Sequence, residues 1–316
     1  MTASSASTDP TRGRVAVVPA SRPEMHAALV AATERAGAVI VPLEEADAVI
    51  WADPAAVDVF PELMTRAGSA RWVQLPYAGV ENLAPFLDPD RIWTCGKGVY
   101  ADDCAEWMMT ALLSAFRDIP VFARASSWQA QSGRNLLGAR ITLLGGGGLA
   151  ESFLRLIEPW GCDVTVVRRN PRPLPGAART VSTEDRFEAV AGADAVIVCL
   201  ALTPETTGIV DARLLASMPD DAWLINIARG GHVVNDDLLA ALDAGTIAGA
   251  VLDVTDPEPL PDGHPLWDHD NVLITPHVGN TPEMGLPRLA ARVEENVRRW
   301  RAGKELIGSV DVASGY

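Results

Sequence analysis

The chain has 316 residues, 48% of them hydrophobic, so it can bury a substantial core, and about 100–200 residues per domain favours two domains. A net charge of −15 argues against a nucleic acid partner, and the lack of an uncharged apolar run of about 18 residues argues against a membrane span. The four cysteines form no C-x-x-C pair and no apolar signal segment begins the chain, so we expect a cytoplasmic protein with reduced thiols and no bound metal.

The first part of the chain predicts a small α/β unit. Residues 1–13 are rich in Ser, Thr and Ala and predict a disordered tail. Beyond them, short apolar runs alternate with helical patterns. Strands are predicted at 15–18, 39–41, 48–51 and 72–75, and a helix near 24–35. The alanine-rich stretch 101–116 is long enough for a helix that connects two lobes.

The second part repeats this alternation more strictly. Strands are predicted at 141–144, 164–167, 195–200, 222–227, 247–252 and 272–275, with helices from about 149, near 184–190 and at 282–300. Strands that recur with intervening helices predict a mostly parallel, doubly wound sheet with helices on both faces. The predicted fold class is therefore α/β, with two Rossmann-like or flavodoxin-like lobes built on doubly wound parallel sheets.

A glycine-rich turn joins the strand at 141–144 to the helix that follows it. The turn reads G-x-G-x-x-A, with Gly145 and Gly147 at the glycine positions, Gly148 and Leu149 next, and Ala150 at the end. The first glycine makes a tight turn, the second lets the backbone approach a pyrophosphate, and the small last residue permits close helix packing. The helix N-terminus offers amides and a favourable dipole to the anion. This setting predicts a dinucleotide site, and a merely flexible turn is the alternative.

The end of the next strand, 164–167, indicates which dinucleotide is bound. An NAD site commonly has an acidic residue here for the ribose hydroxyls, whereas this chain has Arg168 and Arg169. Guanidinium groups bind a 2′-phosphate bidentately, and a carboxylate would repel it. We therefore expect NADP(H) to be preferred, with NAD(H) as a second option. A solvated basic turn is the alternative.

Arg229, Glu258 and His277 follow successive strands of the second predicted sheet. The carboxyl ends of such strands face the ligand crevice of an open α/β sheet, so the three side chains can converge. Arginine can hold the carboxylate of a 2-oxo acid and polarise its ketone. Imidazole can protonate the alkoxide that hydride addition leaves, and a neighbouring carboxylate orients the ring. Each residue alone is as compatible with a structural role, so the prediction rests on their common setting.

Four segments carry a resemblance to a known family. They are LLGGGGLA at 143–150, NIARGGHVVNDDLLAAL at 226–242, LDVTDPEPLP at 252–261 and HPLWDHDNVLITPHVG at 264–279. With these motifs the chain resembles the D-isomer-specific 2-hydroxyacid dehydrogenases, and among them the short glyoxylate/hydroxypyruvate reductases. The resemblance implies a homodimeric, nicotinamide-dependent enzyme that interconverts a small 2-oxo acid and a 2-hydroxy acid. The family's catalytic residues map onto Arg229, Glu258 and His277.

The resemblance also implies contacts with the substrate. Backbone amides of Ala78 and Gly79 would bind the substrate carboxylate, and Trp51 would lie near the substrate. These residues belong to the part of the chain that the resemblance identifies as a substrate-binding domain, 14–105 together with 282–316.

On the cofactor side, the resemblance places Ile227 and Ala228 beside the nicotinamide ribose and Asp253 against the nicotinamide carboxamide. The dinucleotide-binding, Rossmann domain would span 106–281. It would be inserted in the substrate-binding domain, because that domain resumes at residue 282.

Two other functions stay open. A cofactor-sensing binding protein of the same fold, as in the C-terminal binding protein corepressors, would keep the dinucleotide site without turnover. A dehydrogenase for a larger 2-hydroxy acid is the other, since the chain departs from the family at Cys95, Cys104 and 279–281, close to where cofactor and substrate are expected. The intact arginine, glutamate and histidine favour the reductase.

Overall fold

The computed structural model of the protein describes residues 13–312, so the predicted tail at 1–13 lies outside the described residues except for Gly13. The described chain forms two compact units. One consists of the residues up to Tyr100 and those from Thr281 onward, and the other is Ala101–Asn280. No helix among the described residues has both the length and the apolar character needed to cross a bilayer.

The helices and strands alternate along most of the chain. The strands are β1 (Arg14–Val18), β2 (Val39–Ile40), β3 (Ala48–Trp51), β4 (Trp72–Gln74), β5 (Ile92–Thr94), β6 (Arg140–Leu144), β7 (Asp163–Val167), β8 (Arg179–Val181), β9 (Ala195–Val198), β10 (Trp223–Asn226), β11 (Gly249–Leu252) and β12 (Val272–Ile274). The helices are α1 (Pro23–Arg35), α2 (Phe60–Arg66), α3 (Ala101–Phe116), α4 (Ile119–Arg124), α5 (Gly148–Ile157), α6 (Arg186–Val190), α7 (Ala212–Leu215), α8 (Asn235–Asp243), α9 (Pro265–Asp268) and α10 (Pro282–Arg301).

The first unit is a parallel sheet of order β2-β1-β3-β4-β5 with a core on each face. Successive side chains of a strand point to opposite faces, so one strand feeds both cores. In β1, Val15 packs with Leu289 of α10 on one face, while Ala16 packs with Phe60 of α2 on the other. Burial on both faces explains why these strands read as apolar runs rather than as alternating patterns.

The second unit is a parallel sheet of order β12-β11-β10-β9-β6-β7-β8. The chain starts in the middle at β6, proceeds to β8 on one side, and then continues from β9 to β12 on the other. This reversal creates a switch point between β6 and β9, outside whose carboxyl ends ligands of open α/β sheets bind. The predicted α/β fold with two doubly wound parallel sheets is confirmed.

The boundary between the units differs in position from the sequence-based one. The predicted domains meet at 105/106 and 281/282, whereas the units in the structure meet at Tyr100/Ala101 and Asn280/Thr281. All of α3 falls in the second unit, where it packs against α5 and contributes Met108 and Leu112 to the core. The functional roles predicted for the two domains are not decided by this division.

Candidate active site

Three loops interlock at the carboxyl ends of neighbouring strands β10, β11 and β12. A Cβ added at Gly230 would lie only 1.9 Å from the carbonyl carbon of Thr255, so the loop after β10 rests directly on the loop after β11. A Cβ added at Gly279 would lie 2.9 Å from Cδ1 of Ile227, so the loop after β12 rests on the loop after β10. Glycine at both positions permits this contact, which brings the segments of Arg229, Glu258 and His277 together.

His277 and Glu258, two predicted site residues on neighbouring loops, are in direct polar contact. The Nδ1 atom of His277 lies 2.6 Å from Oε1 of Glu258, and roughly half of each side chain is exposed. A carboxylate only accepts hydrogen bonds, so Nδ1 is the donor. The pair therefore leaves Nε2 of His277 as the ring atom able to exchange a proton with a ligand.

The backbone of Arg229 is held by two buried side chains, Asn226 and His232, that were not among the predicted site residues. Asn226 Nδ2 donates to the Arg229 carbonyl oxygen at 2.9 Å, and its Oδ1 accepts from the Ala228 amide at 3.0 Å. His232 Nδ1 lies 3.0 Å from the same carbonyl oxygen, and its Nε2 lies 3.3 Å from that of Ala201. Both were visible in the NIARGGH segment, but nothing in their residue type indicated which backbone group they hold.

The glycine-rich turn after β6 has the shape of a cradle. Gly145 has φ +126°, and a Cβ there would lie 2.5 Å from the carbonyl oxygen of Cys199 at the end of β9, so only glycine fits. Gly147 caps α5, and no described atom lies within 4 Å of where its Cβ would be. Ala150 is completely buried against the core. The first glycine is thus needed by the fold, while the second opens onto free space.

This cradle fits a dinucleotide phosphate. The first N–H groups of a helix lack intrahelical acceptors, so the amides of Gly148 and Leu149, which are only partly buried, are available to an anion at the start of α5. The turn lies on β6, next to the switch point of the sheet. Among the described residues, no group of three or more His, Cys, Asp or Glu side chains is arranged to hold a metal ion.

Arg168 and Arg169 follow β7, the neighbour of β6. The side chain of Arg168 passes over the turn, because a Cβ added at Gly146 would lie 2.8 Å from its Cδ. Arg169 is largely exposed, with Nη2 3.9 Å from Oε2 of Glu205. The side chain of Arg168 therefore lies beside the turn, where the sequence predicts the 2′-phosphate, and Arg169 is the next residue along the chain.

Ala78 and Gly79 lie in the first unit, in the loop after β4. The carbonyl oxygens of this loop are tied to the 95–100 segment: that of Tyr77 accepts from the Gly96 amide at 2.9 Å, and that of Ala78 accepts from the Cys95 thiol at 3.5 Å. Within residues 13–312, neither Ala78 nor Gly79 donates a backbone hydrogen bond. Two adjacent amides are thus available to an acceptor from outside the loop.

The position of Trp51 in the structure differs from the predicted one near the substrate. It is 0% exposed and lies in the core of the first unit, where its ring centroid is 4.8 Å from that of Phe60 in an edge-on arrangement. A tryptophan this deeply packed has no surface left for a ligand. Its apolar ring is used to fill the face of the sheet that α2 covers.

The cysteines near these loops are not suited to nucleophilic chemistry. All four cysteines are free thiols. Burial raises the pKa of Cys104 to about 12, with the charge of Asp253 adding to the effect. Burial also raises the pKa of Cys199 to about 12. Because the thiolate is the reactive form, both are inert at neutral pH.

The chain matches known proteins over nearly its full length. A family model described as D-isomer specific 2-hydroxyacid dehydrogenase, NAD binding domain, matches residues 107–279. An uncharacterised protein encoded in the proB 3′ region of Corynebacterium melassecola is 35% identical over 264 residues, which cover 81% of this chain and 87% of that protein.

Two solved structures are similar in both fold and sequence. A D-isomer specific 2-hydroxyacid dehydrogenase from Xanthobacter autotrophicus Py2, in complex with NADPH and MES, is 32% identical with a TM-score of 0.84, covering 96% of this chain and 99% of that one. An NADPH-dependent glyoxylate/hydroxypyruvate reductase from Sinorhizobium meliloti, in complex with NADP and sulfate, is 28% identical with a TM-score of 0.82, covering 96% and 100%. The chain belongs to the D-isomer specific 2-hydroxyacid dehydrogenase family and is an NAD(P)-dependent oxidoreductase.

Proposed function

We propose that the protein reduces a small 2-oxo acid of the glyoxylate or hydroxypyruvate type to the 2-hydroxy acid, using NADPH in preference to NADH, with His277 as the proton donor. The observation that carries the proposal is the 2.6 Å contact between His277 Nδ1 and Glu258 Oε1 at the edge of the sheet that also bears the dinucleotide turn. The similarity to the S. meliloti glyoxylate/hydroxypyruvate reductase supports the substrate class.

The proton path follows from the pair of side chains. Bound NADPH supplies the hydride that adds to the keto carbon of the substrate. The keto oxygen then takes the proton from Nε2 of His277, because Nδ1 is engaged with Glu258. The carboxylate of Glu258 stabilises the charged imidazole before transfer, and the neutral ring regains a proton from water afterwards. In the oxidative direction the same ring accepts the proton from the substrate hydroxyl.

Positively charged and amide groups bind the substrate in this proposal. The guanidinium of Arg229 holds the substrate carboxylate and polarises the keto group. We also propose that the backbone amides of Ala78 and Gly79 bind substrate, which gives the first unit the role of substrate-binding domain. Ile227 and Ala228 line the nicotinamide ribose.

The homodimer implied by the resemblance is part of the proposal, and the mass in solution, measured by light scattering, tests it. The cytoplasmic location stays a prediction.

A substrate panel tests the function directly. Oxidation of NADPH is measured with glyoxylate, hydroxypyruvate and a series of larger 2-oxo acids, and turnover is expected to be most efficient with the small acids. The highest kcat/KM with a bulky 2-oxo acid would assign a dehydrogenase for a larger substrate. Tight NADPH binding without turnover on any acid would instead favour a cofactor-sensing protein.

The cofactor preference predicts the effect of Arg168→Asp. Wild-type protein is expected to have a higher kcat/KM with NADPH than with NADH. The variant replaces a guanidinium beside the turn by a carboxylate that repels a 2′-phosphate and can accept from ribose hydroxyls. Since a hydrogen bond to a charged group contributes about 1.5–3 kcal/mol, the NADPH/NADH ratio of kcat/KM should fall by about 10–100-fold.

Arg179→Asp is the matched control. Arg179 lies at the amino end of β8, opposite the edge that bears the turn, and it is exposed with Nη1 3.7 Å from Oε1 of Glu188. The charge change is the same, but the cofactor ratio should not move. An unchanged ratio in Arg168→Asp, or equal efficiency of wild-type protein with NADH, would contradict the assignment.

A further inference from the structure

The carboxylate of Asp253 is directed at the segment that carries His277. Asp253 follows β11 and is 2% exposed. Its Oδ1 accepts hydrogen bonds from the Thr275 hydroxyl at 2.5 Å and from the Val278 amide at 2.8 Å. Its Oδ2 accepts from the Gly279 amide at 2.8 Å. A buried negative charge is thus satisfied by groups that lie on both sides of His277.

The backbone of His277 has a conformation that needs such support. Its φ is +54°, in the left-handed region that residues other than glycine rarely adopt and that persists where the surroundings hold it. The His277 amide donates to the carbonyl oxygen of Asp253 at 2.8 Å. The amides of residues 278 and 279 converge on the carboxylate of Asp253, an arrangement that favours an anion, while the His277 amide is bonded to the backbone carbonyl of the same residue.

The fit between Asp253 and this turn is close. A Cβ added at Gly279 would lie 3.0 Å from Oδ2 of Asp253 as well as 2.9 Å from Cδ1 of Ile227. A larger residue at 279 would push the turn away from both. The direction of the His277 side chain thus depends on how firmly the turn rests on Asp253.

We propose that Asp253 is a positioning residue for His277, holding the left-handed turn so that the imidazole keeps its contact with Glu258. This inference rests on the proposed role of His277 as proton donor. It goes beyond the nicotinamide contact that the resemblance implies for Asp253. A carboxylate has about four acceptor sites, and three are already used by Thr275, Val278 and Gly279.

Hydrogen exchange tests the structural part of the proposal without cofactor or substrate. Asp253→Asn keeps the size of the side chain but replaces one carboxylate oxygen by an NH₂ group. That group would face an amide or a hydroxyl that donates to oxygen in the wild-type protein. In the full-length apoprotein, peptides covering 275–281 should exchange roughly tenfold faster than in the wild type, the scale of one lost hydrogen bond. Unchanged exchange in this segment would overturn the proposal.

Kinetics tests whether the turn acts through His277. Asp253→Asn should lower kcat by about 10–100-fold. The Kd for NADPH, measured by fluorescence titration, should change by less than about threefold. Thr275→Val removes a single hydrogen bond to Oδ1 of Asp253 and should lower kcat by a smaller factor. It replaces Asp253→Asn in this test if that variant does not fold. Asp256→Asn removes an exposed carboxylate from the same loop and should leave kcat unchanged.

A double-mutant cycle separates this proposal from the proposed function. In a His277→Ala background, Asp253→Asn should lower the residual kcat by less than about threefold, because the group it positions is gone. An equal loss in both backgrounds, or a loss confined to NADPH affinity, would show that Asp253 acts on the cofactor and not through His277. Full activity of His277→Ala alone would refute the proton donor, while the exchange experiment would still decide whether Asp253 holds the turn.

Discussion

Replacing His277 by alanine is expected to lower kcat for 2-oxo acid reduction by about 10²–10⁴, the usual contribution of a positioned acid or base. The physical reason is that the alkoxide formed on the substrate would have to take its proton from water instead of from Nε2. Affinity for NADPH should stay close to that of the wild type, because the phosphate cradle is on β6 and does not contact the ring. Steady-state kinetics and a fluorescence titration with NADPH measure the two quantities.

Two variants accompany this experiment. Glu258→Gln keeps the shape of the partner but removes its charge, so it should lower kcat by less than the loss of the imidazole itself. His264→Ala is the matched control, since His264 Nδ1 accepts from the Leu266 amide at the start of α9 and lies outside the proposed site. The free energy of unfolding of this control should fall by no more than the contribution of an N-cap, about 0.5–2 kcal/mol. Its kcat should equal that of the wild type. Activity of His277→Ala within about tenfold of the wild type would mean that another group supplies the proton.

Replacing Arg229 by alanine is expected to lower kcat by about 10²–10³ and to raise KM for the 2-oxo acid at the same time. Both parameters should change because the same guanidinium binds the substrate carboxylate and stabilises the charge that develops on the keto oxygen. Arg229→Lys should recover part of the binding but less of kcat, since an ammonium keeps the charge and lacks the planar pair of donors. Initial rates over a range of substrate concentrations give both values.

Arg213→Ala controls for the loss of an arginine from the same unit. Its guanidinium stacks on the ring of Phe187 at 4.1 Å, so its removal affects packing and should leave both kinetic parameters unchanged. A raised KM in Arg229→Ala with kcat intact would show that Arg229 only binds the substrate. In that case another group would have to polarise the keto oxygen.

Local sequence patterns predicted most of the fold. Apolar runs bounded by polar turns located strands such as β3 and β6, because both faces of these parallel strands are buried and almost every side chain in them is apolar. The patterns missed β5 and β8, two strands of three residues each. The family resemblance, rather than a local pattern, placed Trp51 near the substrate, and nothing in the residue itself shows whether a tryptophan at a strand end turns towards the core.

The amino-acid sequence by itself determined the residue types of the candidate site and their order on successive strand ends. A parallel sheet brings carboxyl ends to one edge, so Arg229, Glu258 and His277 were predictable as a group. Only the tertiary structure decided how they are held: by Asn226 and His232 behind Arg229, and by a Glu258 carboxylate 2.6 Å from a histidine nineteen residues away. The contact between Glu258 and His277 joins residues that are distant along the chain, and its geometry depends on how closely neighbouring loops pack. Asn226 and His232 are only three residues from Arg229, but their bonds depend on the conformation of the loop after β10, which no local pattern encodes.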